Sequence, residues 1–168
     1  QGAVAVMKGK VQFGLSLLDQ AESAFRSTGD VANQALTLMR RAFAYRYLGN
    51  YTASLADAEN ALSLTAEDDS LKSTYGVAMR VKGLSLHRMG QVSQAVECLA
   101  HALEICDELN EMQDIPRIQM ELGMAYQATG DYKTTQFYYE RALSLWQKES
   151  NLFWQANLLN NMGVMYHF

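Results

Sequence analysis

Helical blocks rich in apolar residues alternate with short polar connectors along this chain, and the alternation keeps a fixed period. The connectors are Ser27-Thr28-Gly29-Asp30, Thr65 to Ser70, Glu108 to Asp114 and Lys148 to Asn151. Between them stand Gly9-Lys10-Val11, Gly49-Asn50-Tyr51, Gly90-Gln91-Val92 and Gly130-Asp131-Tyr132, at intervals of 40, 41 and 40 residues. Twelve residues after each glycine comes an alanine: Ala21, Ala61, Ala102 and Ala142. Three of these lead into leucine, at Leu62, Leu103 and Leu143. A fixed period of this size means a solenoid, in which one helical unit buries its apolar face by stacking on the next.

Each period divides into two helices, A before the glycine and B after it. The pattern predicts A helices near 31–48, 70–89, 114–129 and 151–168, and B helices near 11–27, 51–65, 92–109 and 132–147. Glycine ends each A helix because it takes the left-handed backbone without penalty. Asp30, Ser70, Asp114 and Ser150 or Asn151 are the expected N-caps of the following A helices. Pro116 falls in a first turn, where its missing N–H costs nothing.

The register continues inside the helices. Ala42, Gly83, Gly123 and Gly163 share one small position in helix A, expected to be buried against helix B. Tyr45, Leu86, Tyr126 and Tyr166 follow at a large one. In helix B the small position holds Gly14, Ser54, Ala95 and Thr135, and four residues later come Leu18, Ala58, Leu99 and Tyr139.

Leu122-Gly123-x-x-Tyr126, then Gly130-Asp131-Tyr132, then Ala142-Leu143 resembles the tetratricopeptide repeat, and the resemblance extends over the whole chain. It implies an all-α right-handed superhelix of helix–turn–helix repeats, a single unit over residues 1–168 with turn glycines at 9, 49, 90 and 130. Two departures stand out. The large residue early in helix A is Leu38, Met79, Gln119 or Leu159, never Trp. The repeats also run six or seven residues over the usual length of roughly 34. Long repeats with endings such as Ala142-Leu143-Ser144-Leu145-Trp146 are similar to the sensor regions of bacterial transcription regulators of the maltose-activator and antibiotic-regulatory-protein types.

Composition narrows the function. Nearly half of the residues are apolar and one is proline, and the net charge is −4. That charge argues against unspecific binding to nucleic acid or to an anionic membrane. No apolar run approaches the roughly 20 residues a membrane span needs. Cys98 and Cys106 lack Cys-x-x-Cys spacing and read as thiols of a reducing compartment, so the expected location is cytoplasmic. The first residue is Gln, and the chain is expected to be a fragment of a longer protein. No Gly-rich phosphate loop, His-Glu-x-x-His or Gly-x-Ser-x-Gly occurs. The three histidines are dispersed, and Glu67-Asp68-Asp69 lacks calcium-loop spacing. The reading is non-catalytic, with no cofactor and no metal. Met39, Met79, Met120, Met124, Met162 and Met165 fall mainly at packing positions of helix A.

Charge is partitioned between the helices. The A helices carry Arg40, Arg41, Arg46, Lys72, Arg80, Lys82, Arg88 and Arg117 against Glu121 and Asp114. The B helices are acidic, with Asp19, Glu22, Asp57, Glu59, Glu97, Glu104, Asp107, Glu108 and Glu140 against Arg26, Lys133 and Arg141. The resemblance implies that A helices line a concave inner surface. Its lining positions fall on Leu36, Met39, Phe43, Arg46 and Tyr47; on Val77, Arg80, Leu84, His87 and Arg88; on Arg117, Met120, Met124, Gln127 and Ala128; and on Asn157, Asn160, Val164, His167 and Phe168. Such a surface suits a protein segment or a small acidic ligand. The alternative is that the arginines only pair with neighbouring carboxylates; Arg41 and Lys82 in particular fall where the repeat usually has Leu, so their stems are expected to pack. The functional expectation is a sensor or partner-binding region of a transcription regulator, or else a general interaction adaptor. Val4, Val6 and Met7 at one end and Val164, Met165, Tyr166 and Phe168 at the other are expected to leave apolar ends open to self-association.

Overall fold

The computed structural model describes the backbone of residues 2–167 and the side chains of residues 9–166. Eight α-helices follow one another: α1 (Gly2–Thr28), α2 (Val31–Tyr47), α3 (Tyr51–Thr65), α4 (Lys72–Arg88), α5 (Val92–Leu109), α6 (Ile115–Ala128), α7 (Tyr132–Lys148) and α8 (Leu152–His167). A single 3-10 turn, Asp69–Leu71, leads into α4. No strand occurs among the described residues.

Each helix packs on the next, and the even-numbered helices also touch one another in sequence, α2 on α4, α4 on α6 and α6 on α8. The solenoid therefore curves with the even helices on its inner layer. Three hairpins, α2/α3, α4/α5 and α6/α7, carry the repeat, with α1 before them and α8 after.

Helix ends explain the period. Gly49, Gly90 and Gly130 have φ of 78°, 81° and 79°. The residue after each donates its N–H back to the carbonyl of Tyr45, Leu86 or Tyr126, which closes the last turn. Asn50 and Asp131 then cap the next helix, accepting from the N–H of Ala53 and Thr134. The same backbone turn recurs between units, at Gly29 but also at Asn110 (φ 55°) and Ser150 (φ 56°).

Three expectations need correction. Gly9 makes no turn: it lies inside the continuous helix α1, because its φ is not left-handed and nothing else there breaks the hydrogen-bond ladder. Ser70 is not an N-cap of helix A. It sits in the 3-10 turn, and Asp68 accepts its N–H at 2.9 Å. Gly163 is exposed and a Cβ there would meet nothing within 4 Å, since no described helix lies over it. Asp30 does cap α2, accepting from Asn33. Asp114 stands at the start of α6 without a capping bond and turns its carboxylate elsewhere.

The small register does its packing in the three hairpins. A Cβ on Gly83 would lie 2.9 Å from Leu99 Cγ, and one on Gly123 only 2.4 Å from the Tyr139 ring. Ala42, Ala58, Leu99 and Tyr139 are fully buried. Burying a residue such as Leu99 or Leu122 contributes about 1.5–3 kcal/mol. The methionines join the same clusters: Met39 in the first, Met120 and Met165 in the third. The side chains of Val4, Val6, Met7, His167 and Phe168 lie outside the described residues.

Candidate functional site

The inner layer presents residues of α2, α4, α6 and α8, and the structure sorts the sequence-derived set by depth. Met39 and Met120 are buried and form floor rather than surface, as does Leu84. Leu36, Phe43, Tyr47 and Val164 are exposed. Asn157 and Asn160 are exposed on α8, the former donating its amide to the Phe153 carbonyl at 2.9 Å. Gln127 accepts the Tyr139 hydroxyl at 3.0 Å. Val77, Met124, His87 and Arg117 are half-buried, and Ala128 is exposed.

Much of the basic charge is neutralised inside the protein. Arg41 forks onto Asp57 with bonds of 2.8 and 2.6 Å and reaches Asp19 at 2.7 Å. Lys82 meets Glu59 at 3.0 Å and Lys72 pairs with Glu108. These contacts join A helices to B helices and account for Asp19, Asp57, Glu59 and Glu108 among the acidic residues of the B set. Arg80 is 7 % exposed and forks onto Glu121 at 2.7 and 2.6 Å, with Asp114 at 3.8 Å. Burial opposes its charge, but attraction to Glu121 wins and raises its pKa. Arg80 is thus a structural cation beneath the groove, not a free one on it. Arg117 shares Asp114 at 3.9 Å and lies 5.0 Å over the Trp154 ring, which in turn stacks on Trp146.

Arg46 and Arg88 are different. Neither has a carboxylate within ion-pair distance among the described residues. Both line one concavity of about 260 Å³ together with Phe43, Tyr47 and Tyr51. Burial holds the Arg46 pKa below the ordinary arginine value, Arg80 and Arg88 push it the same way, and Glu121 opposes them. A guanidinium remains charged at neutral pH regardless. His87 lies close by; burial and then Arg88 lower its pKa. Tyr51 was absent from the sequence-derived set, because it opens helix B directly after the turn and reads as part of the turn motif. Its recurrence as Tyr132 was the available signal.

A stack of helical hairpins with an inner face of arginine, aromatic and amide groups is a repeat scaffold for binding. Two models described as tetratricopeptide repeat match residues 33–108 and 116–147, together more than half of the chain. The chain belongs to the tetratricopeptide repeat family. It is 27 % identical over 110 residues to tetratricopeptide repeat protein 29 of Trypanosoma brucei brucei, covering 62 % of this chain and 23 % of the relative. It is 25 % identical over 128 residues to a TPR repeat-containing protein of Methanocaldococcus jannaschii, covering 76 % of this chain and 36 % of that one. The chain thus spans about a quarter to a third of the curated relatives it matches. Among solved structures, BtubC from P. vanneervenii superposes with a TM-score of 0.77 at 17 % identity, over 94 % of this chain and 66 % of that one. The kinesin light chain TPR-like repeats of Podosopora anserina give 0.69 at 18 % identity, over 95 % and 88 %. Aspartyl phosphate phosphatase F from Bacillus subtilis gives 0.75 at 14 %, over 94 % and 45 %. At these identities the likeness shows the fold alone.

Proposed function

We propose that this protein interaction module holds an acidic segment of a partner protein, or a small acidic ligand, along its inner surface, and that it acts by binding rather than by catalysis. The observation that carries the reading is the pair Arg46 and Arg88, two cations without a carboxylate in ion-pair contact among the described residues that open on one aromatic-walled concavity. Charge-assisted hydrogen bonds from guanidinium to carboxylate or phosphate are roughly twice as strong as neutral ones. Asn157 and Asn160 extend the polar surface along α8.

Two settings accommodate such a surface: the sensor or partner-binding region of a bacterial transcription regulator, and a general interaction adaptor. The inner surface serves both equally, and a DNA-binding domain elsewhere in the full-length gene distinguishes them. We place the module in the cytoplasm, in keeping with two free, buried cysteines. No helix among the described residues is long and apolar enough to cross a membrane.

The test is a titration of the protein with a tetraglutamate peptide. Affinity should fall as salt rises, and Arg46→Gln with Arg88→Gln should remove binding while leaving helicity unchanged. Unaltered affinity in the double variant refutes the reading.

A further inference from the structure

We propose that the concavity between α2, α3 and α4 is a phosphomonoester site, in which Arg46, Arg88, Tyr47 and Tyr51 receive the phosphate of a phosphorylated residue in the bound segment. The inference rests on the reading that an acidic segment lies on the inner surface, and narrows the acid at this one place.

The first argument is charge. Among the cations of the even helices the exposed Arg40 has no carboxylate partner among the described residues, but Arg41, Lys72, Arg80, Lys82 and Arg117 are all accounted for. Arg46 and Arg88 are not, and no Asp or Glu lines the concavity they share. Two cations without an ion-pair contact, one of them offset only from a distance by Glu121, call for more than one negative charge. A phosphomonoester carries about −1.5 to −2 at pH 7, whereas a carboxylate carries −1.

The second argument is hydrogen-bonding capacity. The lining holds two guanidinium groups and two tyrosines, residue types that carry N–H or O–H donors. A carboxylate presents two oxygens, a phosphate three. Arginine forks match phosphate bidentately, and two of them with two phenols saturate three oxygens better than two.

The third argument is preorganisation. Arg46 is half-buried and its Nε is sealed from water without a hydrogen-bond partner. Packing therefore holds this guanidinium in place, and little ordering is left to be done on binding. Phe43 and Tyr47 remain exposed beside it and form an apolar wall for the carbon stem of the phosphorylated residue. The concavity, about 260 Å³, is open on its outer side, so a phosphate can enter with its carbon stem still leading back to the bound segment.

The experiment compares three forms of one acetylated, amidated Gly-Gly-X-Gly-Gly peptide, with X phosphoserine, glutamate or serine, by amide chemical-shift titration of the 168-residue protein. Tetraglutamate serves as a fourth probe. Phosphoserine should bind at least tenfold more tightly than glutamate at pH 7.5, with shifts centred on residues 43–51 and 88. The advantage should shrink at pH 5.5, as the phosphate dianion takes up a proton near pH 6 and becomes a monoanion. Arg88→Gln, at an exposed position that does not threaten folding, should cut the phosphoserine-to-glutamate ratio to below threefold; Arg46→Gln should do the same. Equal affinity for phosphoserine and glutamate, or tetraglutamate binding alone, overturns the phosphate inference and leaves the acidic-segment reading standing. Phosphoserine binding that survives both variants overturns the site. No binding of any acidic probe overturns both.

Discussion

Arg80 of α4 and Glu121 of α6 stand one repeat apart and meet through two hydrogen bonds of 2.7 and 2.6 Å, with side chains only 9 % and 7 % exposed. The pair bridges successive inner helices rather than the two helices of one hairpin. It therefore bears on how far one repeat splays from the next. Asp114 and Arg117 extend it toward Trp154 on α8, so a polar thread runs beneath the groove across three inner helices.

That pair yields a stability prediction. Removing one partner strands a buried charge, and Glu121→Leu should cost about 3–5 kcal/mol. Replacing both, as Arg80→Met with Glu121→Leu, should cost less than either single change. Urea denaturation of the three variants and the parent measures this. A double variant no more stable than the singles refutes the coupling. For the same reason charge reversal at Arg80 unsettles the fold and is a poor probe of the groove.

Gly123 and Gly163 share a register position but should respond oppositely to alanine. At Gly123 the new methyl meets the Tyr139 ring at 2.4 Å, and the overpacking should cost about 1–3 kcal/mol. At Gly163 the space is open, and the gain in helix propensity should stabilise by about 0.5–1 kcal/mol. Two melting curves decide the matter, and Tyr139→Leu should relieve the Gly123→Ala defect.

Asn110 and Ser150 hold a left-handed backbone where the other turns use glycine. Glycine at either site should stabilise the protein, the more so at Ser150, since asparagine tolerates this conformation better than serine does. A gain of about 0.5–1 kcal/mol is expected for Ser150→Gly, read as a higher melting temperature with unchanged helicity.

Acid should loosen the helix starts. The Asn33 side chain and then its N–H hold the Asp30 carboxylate below its usual pKa, and the Thr134 N–H and then its hydroxyl do so for Asp131. A depressed folded-state pKa means stability that is present above the unfolded value near 3.8 and is lost as pH falls through the lower folded one. Melting temperature should drop below about pH 4, and Asp131→Asn, which keeps a capping oxygen but cannot titrate, should flatten part of that drop. An unchanged acid slope in this variant rules Asp131 out as a contributor.

The sequence by itself determined the helices, their boundaries and their repeat. Glycine period, small-residue register and polar connectors are local or nearest-neighbour signals, and a solenoid is built from local contacts. That is why α2 through α8 fall within a residue or two of where the pattern put them. The turn at Gly9 failed because glycine permits a left-handed bend without compelling one, and the helical hydrogen-bond ladder runs on through it. Tertiary structure alone decided which cations are free. Arg80 and Arg46 both fall at lining positions of the inner helices, ten and three residues before their turn glycines, yet Arg80 forks onto Glu121 a full repeat away and Arg46 reaches no carboxylate in ion-pair contact among the described residues. Tyr51 joins the concavity from a B helix because the turn folds its first residue inward. Those outcomes depend on how side chains of different repeats meet across the curved inner layer. Spacing along the chain carries no record of that meeting.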